Sequence, residues 1–122
     1  DKTFPIRWTA PETLRQGVIS KGSDVWSFGV VLWEMMEAQQ PYPGMSNAEV
    51  ISAVCDKGYR LPKPSGIPDE VYQLMLQCWN NVASQRPSFN EIYKLLSSVQ
   101  AEPSDVVVHE TNYTNANQEY QN

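Results

Sequence analysis

Residues 25–36 are apolar on nearly every side of a helix, with only Ser27, Gly29 and Glu34 between Val25, Trp26, Phe28, Val30, Val31, Leu32, Trp33, Met35 and Met36. A helix without a polar face is buried all round, so this stretch is expected at the centre of the fold. Ser23 reads as its N-cap and Glu37 as its approximate end. Gln39-Gln40-Pro41-Tyr42-Pro43-Gly44 stops it, because two prolines this close cannot continue a helix. Ser46 and Glu49 have the spacing of a capping box, opening a helix to about Lys57. Residues 60–68 are too rich in proline for regular structure. Val71, Leu74, Met75 and Cys78 then fall at i, i+3, i+4 and i+7, a single apolar stripe. Ser88 and Glu91 repeat the capping-box pattern, and Phe89, Ile92, Tyr93, Leu96 and Val99 give the last helix its stripe. No strand-like alternation of useful length appears. The body is expected to be mainly α, with proline loops.

Charge separates this body from the end of the chain. The protein has 122 residues and a net charge of −5. Glu102, Asp105, Glu110 and Glu119, with no Lys or Arg near them, carry most of that charge. All 4 Trp and all 6 Gly lie before residue 101. Residues 101–122 are rich in Asn and Gln, and such a composition buries too little surface to offset its ordering entropy. The reading is therefore two parts: residues 1–100 as a near-neutral folded body, residues 101–122 as a disordered acidic tail.

The same counts exclude several classes. Nucleic-acid binding needs a cationic face that this chain lacks. No apolar run approaches the ~20 residues that cross a bilayer, and no signal peptide opens the sequence. Cys55 and Cys78 have no metal-ligand neighbours at short spacing and read as reduced core thiols. His109, the only histidine, stands among polar residues. No metal site is expected. There is no Ser/His/Asp or Cys/His set, no glycine-rich phosphate loop, and no carboxylate pair at a catalytic spacing.

One linear constellation carries more. Phe4-Pro5-Ile6-Arg7-Trp8-Thr9-Ala10-Pro11-Glu12 is followed by Ser23-Asp24-Val25-Trp26-Ser27-Phe28-Gly29, then by Pro41-Tyr42-Pro43-Gly44-Met45. Gly58-Tyr59-Arg60-Leu61-Pro62, Cys78-Trp79 and Arg86-Pro87-Ser88-Phe89 come after. Over roughly residues 4–99 this resembles the C-terminal half of a protein kinase catalytic domain, whose signatures include Ala-Pro-Glu. Pro5-Ile6-Arg7-Trp8 is similar to the tyrosine-specific branch and speaks against a serine/threonine kinase. The resemblance implies an incomplete kinase fold, its helical C-terminal lobe, and a piece of something longer that begins inside the activation loop.

The implications of the resemblance can be placed on residues. Pro5, Ile6, Arg7 and Trp8 would form the substrate platform, the proline offering a flat apolar surface beside the substrate tyrosine. Glu12 and Arg86 would form a structural ion pair with the forked geometry of a guanidinium–carboxylate contact. Asp24 would be a structural carboxylate that accepts hydrogen bonds from the catalytic loop; the alternative is a cap on the helix together with Ser23. The catalytic Asp, the ATP-anchoring Lys and the Mg²⁺ ligands of the family all lie upstream. No residue of this chain is therefore expected to be catalytic, and the parent enzyme's ATP and Mg²⁺ would be held elsewhere.

The implied activity is transfer of the ATP γ-phosphate to tyrosine in protein substrates, with this chain alone inactive. The implied setting is the cytoplasm, as a cytosolic kinase or as the cytoplasmic part of a membrane receptor. Tyr113 and Tyr120 each have Asn two residues on, the pattern that one class of Src-homology adaptors reads after phosphorylation. Chance repetition in an Asn-rich stretch is the competing account. A pseudokinase that docks such adaptors is the alternative function.

Overall fold

A computed structural model describes residues 5–99 of the chain, so the expectations for the tail, Tyr113 and Tyr120 among them, lie outside the described residues. Five α-helices follow in order: α1 (Pro11–Gln16), α2 (Lys21–Glu37), α3 (Asn47–Ile51), α4 (Asp69–Cys78) and α5 (Phe89–Ser98). Short 3₁₀ turns occur at Ile6–Trp8 and Ala83–Gln85, and there is no strand among the described residues. The arrangement is the mainly α one expected from the sequence.

The capping boxes anticipated at two helix starts are formed. Ser46 Oγ accepts from the Glu49 amide at 3.2 Å and Glu49 Oε1 accepts from the Ser46 amide at 3.0 Å. Ser88 and Glu91 do the same at 3.1 and 3.0 Å. Each pair satisfies two of the amides that a helix start leaves without partners.

The start of α2 corrects the sequence reading. Its N-cap is Ser20 rather than Ser23, and Ser23 is the reciprocal residue of a third box. Gly22 hid this, since a glycine near a helix start reads as a breaker. Here it permits close approach: a Cβ on Gly22 would lie 2.9 Å from the Ala83 carbonyl oxygen.

Helix α2 packs against α4 and is central, as expected. Trp26, Val30 and Trp33 on α2 meet a core that includes Leu74, Met75 and Cys78 of α4, all of them buried. At Gly29 the two helices come close, for a Cβ there would sit 2.7 Å from Trp79 Nε1. That indole N–H is itself buried and has no acceptor among the described residues.

Complete burial of α2 does not hold. Val31 and Met36 are each more than 40% exposed and Met35 is 69% exposed. Asp24, Val31 and Met35 form one narrow stripe of α2 that the described elements leave exposed, while most of the rest of its circumference is covered. The stripe of α5 fares similarly: Ile92 is buried, while Phe89 and Tyr93 are exposed. Phe89 does meet Phe28 of α2 edge-on, with centroids 5.8 Å apart and planes at 85°, a favoured aromatic geometry.

The helix expected from Ser46 to about Lys57 changes type midway. Residues Ser52–Asp56 form a π-turn, closed by the Lys57 amide donating to the Ser52 carbonyl at 3.2 Å. The Cys55 carbonyl in this turn accepts from the guanidinium of Arg15 on α1. Both cysteines are free. Cys78 is a core thiol that burial pushes up to about 12, whereas Cys55 is only half-buried.

The proline loop is irregular but not loose. Leu61 and Pro64 are buried in it. Trp33 Nε1 donates to the Pro62 carbonyl at 2.7 Å, and the Tyr72 hydroxyl donates to the Leu61 carbonyl at 2.7 Å. Two aromatic side chains thus supply the hydrogen bonds that secondary structure would otherwise make.

Candidate functional site

The candidate site grows from the short turn ahead of α1. Pro5 fixes the entry, and the turn closes through Trp8 N–H to the Pro5 carbonyl at 2.9 Å and Thr9 N–H to the Ile6 carbonyl at 3.2 Å. Thr9 Oγ1 also donates to the Pro5 carbonyl, at 2.8 Å. Pro11 then opens α1 at the position where a missing N–H costs nothing.

The structure divides the four residues expected to form the platform. Pro5 is exposed and Ile6 is half-buried against the core. Arg7 turns inward: one guanidinium nitrogen donates to the Pro41 and Tyr42 carbonyls at 3.0 Å each, and the other donates to the Met45 carbonyl. Trp8 Nε1 donates to Glu34 Oε1 of α2 at 3.1 Å, and the Trp8 carbonyl accepts from Ser27 Oγ at 2.7 Å. The side chains of Arg7 and Trp8 therefore brace the turn from within. Glu34, Ser27 and Thr9 are the residues that sequence reasoning missed. Nothing in the local pattern of Glu34 and Ser27 links them to a segment 26 and 19 residues away.

Beneath the turn lies the ion pair. Arg86 Nη1 and Nη2 donate to the two carboxylate oxygens of Glu12 at 2.7 and 2.8 Å. The Arg86 side chain is 0% exposed and that of Glu12 is 20% exposed. Two further donors of Arg86 find acceptors, Nη1 in the Gly22 carbonyl at 2.9 Å and Nε in the Asn80 carbonyl at 2.8 Å. Burial alone would raise the Glu12 carboxyl. The Arg86 hydrogen bonds, its own backbone amide and the Arg86 charge outweigh that and hold it below its ordinary value. The ring of Trp26 joins the cluster, with the guanidinium carbons of Arg60 and Arg86 at 4.8 and 5.0 Å from its centroid, within cation–π range.

Asp24 is exposed on α2. It takes no part in the cap, which Ser20 and Ser23 form between them. Its side chain forms no hydrogen bond or ion pair among the described residues. Its place is nonetheless informative. Pro5, Thr9, Thr13, Ser23 and Asp24 line one cleft of about 170 Å³ between the turn and the first turns of α2. The exposed face of Pro5 and the Asp24 carboxylate thus open onto the same surface.

The described residues contain no group of three His, Cys, Asp or Glu able to hold a metal ion. No helix among the described residues is long and apolar enough to cross a membrane.

The comparisons with known proteins agree with this arrangement. Residues 1–96 match the family described as protein tyrosine and serine/threonine kinase. Ephrin type-A receptor 8 of Homo sapiens is 48% identical over 104 residues, covering 84% of this chain and 10% of the receptor. Ephrin type-A receptor 10 of Mus musculus is 49% identical over 100 residues, covering 81% and 10%. Ephrin type-A receptor 5 of Gallus gallus is 47% identical over 104 residues, covering 84% and 10%. The chain spans about a tenth of the length of these three relatives. With a kinase-type turn, a forked Glu12–Arg86 pair under it and this match over most of its length, the chain belongs to the protein tyrosine and serine/threonine kinase family.

Proposed function

We infer that this chain is the substrate-facing helical part of a tyrosine kinase, whose parent enzyme transfers the ATP γ-phosphate to tyrosine hydroxyls of protein substrates. The observation that carries the reading is the braced turn. Pro5 stands exposed while Arg7 and Trp8, two and three residues further on, anchor the backbone that carries it. A rigid apolar ledge suits a flat aromatic ring held far from its own backbone, and preorganisation of this kind lowers the ordering cost of binding. ATP and Mg²⁺ belong to residues outside this chain, as does the catalytic base. Asp24 is the group that would receive the amides of that base's loop. The setting is the cytoplasm, and similarity to receptors favours the cytoplasmic part of a membrane receptor over a free cytosolic kinase.

The test is phosphate transfer by the parent protein from labelled ATP to paired peptides that differ only in Tyr or Ser. Tyrosine peptides are expected to be labelled, serine peptides not, and this chain alone should label neither. Equal labelling of serine would refute the tyrosine assignment. A parent inert toward both would leave the scaffold function instead.

Tyr113 and Tyr120 extend this reading as docking sites for phosphotyrosine-reading adaptors of the Src-homology class. The support is the repeated Asn at plus two. Phosphorylated peptides around each tyrosine are expected to bind such an adaptor, and Asn115→Ala or Asn122→Ala should weaken binding by about tenfold or more, as losing a paired polar contact does. Binding indifferent to both changes would refute the docking role.

A further inference from the structure

The three hydrogen bonds of Arg7 all go to one loop. Its acceptors are the carbonyls of Pro41, Tyr42 and Met45, which lie between the end of α2 and the start of α3. Pro41 and Tyr42 are buried, and Tyr42 holds a left-handed φ of 55°. A non-glycine residue keeps that conformation only where its surroundings over-determine it. The loop is therefore a fixed frame rather than a slack connection. Arg7 sits two residues from the exposed Pro5, within a turn closed by the Pro5 carbonyl itself. A planar guanidinium is suited to this task, because its donors point in fixed directions toward several acceptors at once.

We propose that Arg7 is a positioning residue of the substrate platform, setting the height and tilt of Pro5 against the frame of residues 41–45. The proposal rests on the kinase reading above. Arg7 itself does not touch the substrate. It acts by holding the turn in the conformation that presents Pro5, while Trp8 pins the other end of the turn to Glu34. Loss of Arg7 leaves Trp8 and Thr9 to keep the turn attached but frees its outer edge. Substrate then binds a platform that must be ordered at each encounter, and that cost falls on peptide affinity rather than on nucleotide affinity.

The experiment compares Arg7→Ala and Arg7→Lys with the unaltered sequence in the parent kinase, using a random glutamate–tyrosine copolymer as substrate. Arg7→Ala is expected to raise the KM for the copolymer about tenfold, with the KM for ATP unchanged. Arg7→Lys keeps the charge and part of the donor set, and should fall between the two. A residue that serves folding alone gives another signature: fewer active molecules lower kcat while the copolymer KM stays put. That result, or no change in either constant, overturns the proposal. Failure of the unaltered parent to phosphorylate the copolymer counts against the kinase reading instead. In that event fluorescence anisotropy of a labelled tyrosine peptide decides the matter: equal binding to the parent and to Arg7→Ala refutes a positioning role.

Discussion

Arg86→Ala is expected to lower the stability of the chain by about 3–5 kcal/mol, the range found when one partner of a buried ion pair is removed. The size follows from the groups that the guanidinium holds. Its loss leaves both Glu12 oxygens without their donors and also frees the Gly22 and Asn80 carbonyls. Those acceptors belong to α1, the start of α2 and the segment after α4, so the damage is not local. A domain of this size has only about 5–15 kcal/mol in total. Urea unfolding followed by circular dichroism would measure the change.

Arg86→Lys should recover part of the loss, since an ammonium replaces the charge but not the fork. Pairing Arg86→Met with Glu12→Leu should cost less than either Arg86→Met or Glu12→Leu alone, because no charge is then stranded. Additive losses in that cycle would show that the two side chains act independently. The pair also has a pH signature. The folded state holds the Glu12 carboxyl below its ordinary value of 4.5. Its contribution is therefore complete above that value and is lost as the pH falls through the lower folded value. The stability gap between the unaltered chain and Glu12→Gln should narrow with acid over that window. A gap constant from pH 7 to about pH 3 would mean that charge plays no part.

Trp26→Ala should be equally severe. Trp26 is 1% exposed at the centre of the core, and truncating a buried aromatic of this size costs about 3–5 kcal/mol. The ring also faces the guanidiniums of Arg60 and Arg86, so its removal weakens two further attractions and unsettles the ion pair beside them. Trp26→Phe keeps an aromatic face and should retain more than half of the stability that Trp26→Ala loses. Thermal unfolding by far-ultraviolet circular dichroism separates the two. A Trp26→Ala chain within about 1 kcal/mol of the original would contradict this account of the core.

How much of the fold and of the site is legible in the sequence depends on how local each signal is. The starts of α3 and α5 are readable because a capping box is complete within four consecutive residues. The α4 stripe is readable because Val71, Leu74, Met75 and Cys78 share one face of a helix packed against α2, and all four are buried. The stripe of α5 has the same period yet meets a described neighbour only in part, which leaves Tyr93 70% exposed. Periodicity announces a face, but it does not announce the element that covers it. The Glu12–Arg86 pair spans 74 positions and is readable only through family resemblance, never through spacing. The inward roles of Arg7 and Trp8 are not readable at all. The acceptors of Arg7 are backbone carbonyls, which every sequence has, and only the path of the loop at 41–45 makes them convergent.

The indole N–H of Trp79, without an acceptor among the described residues, gives the seam between α2 and α4 an internal clock. Most protected protons in a folded protein are slow to trade with deuterium because a hydrogen bond must break first. This one has no such bond to break among the described residues and is shielded by packing alone. Its replacement by deuterium is therefore timed by how often water enters beside Gly29, where an added Cβ would lie 2.7 Å from it. The rate reports the breathing of a single contact between two helices, separate from the unfolding of either one.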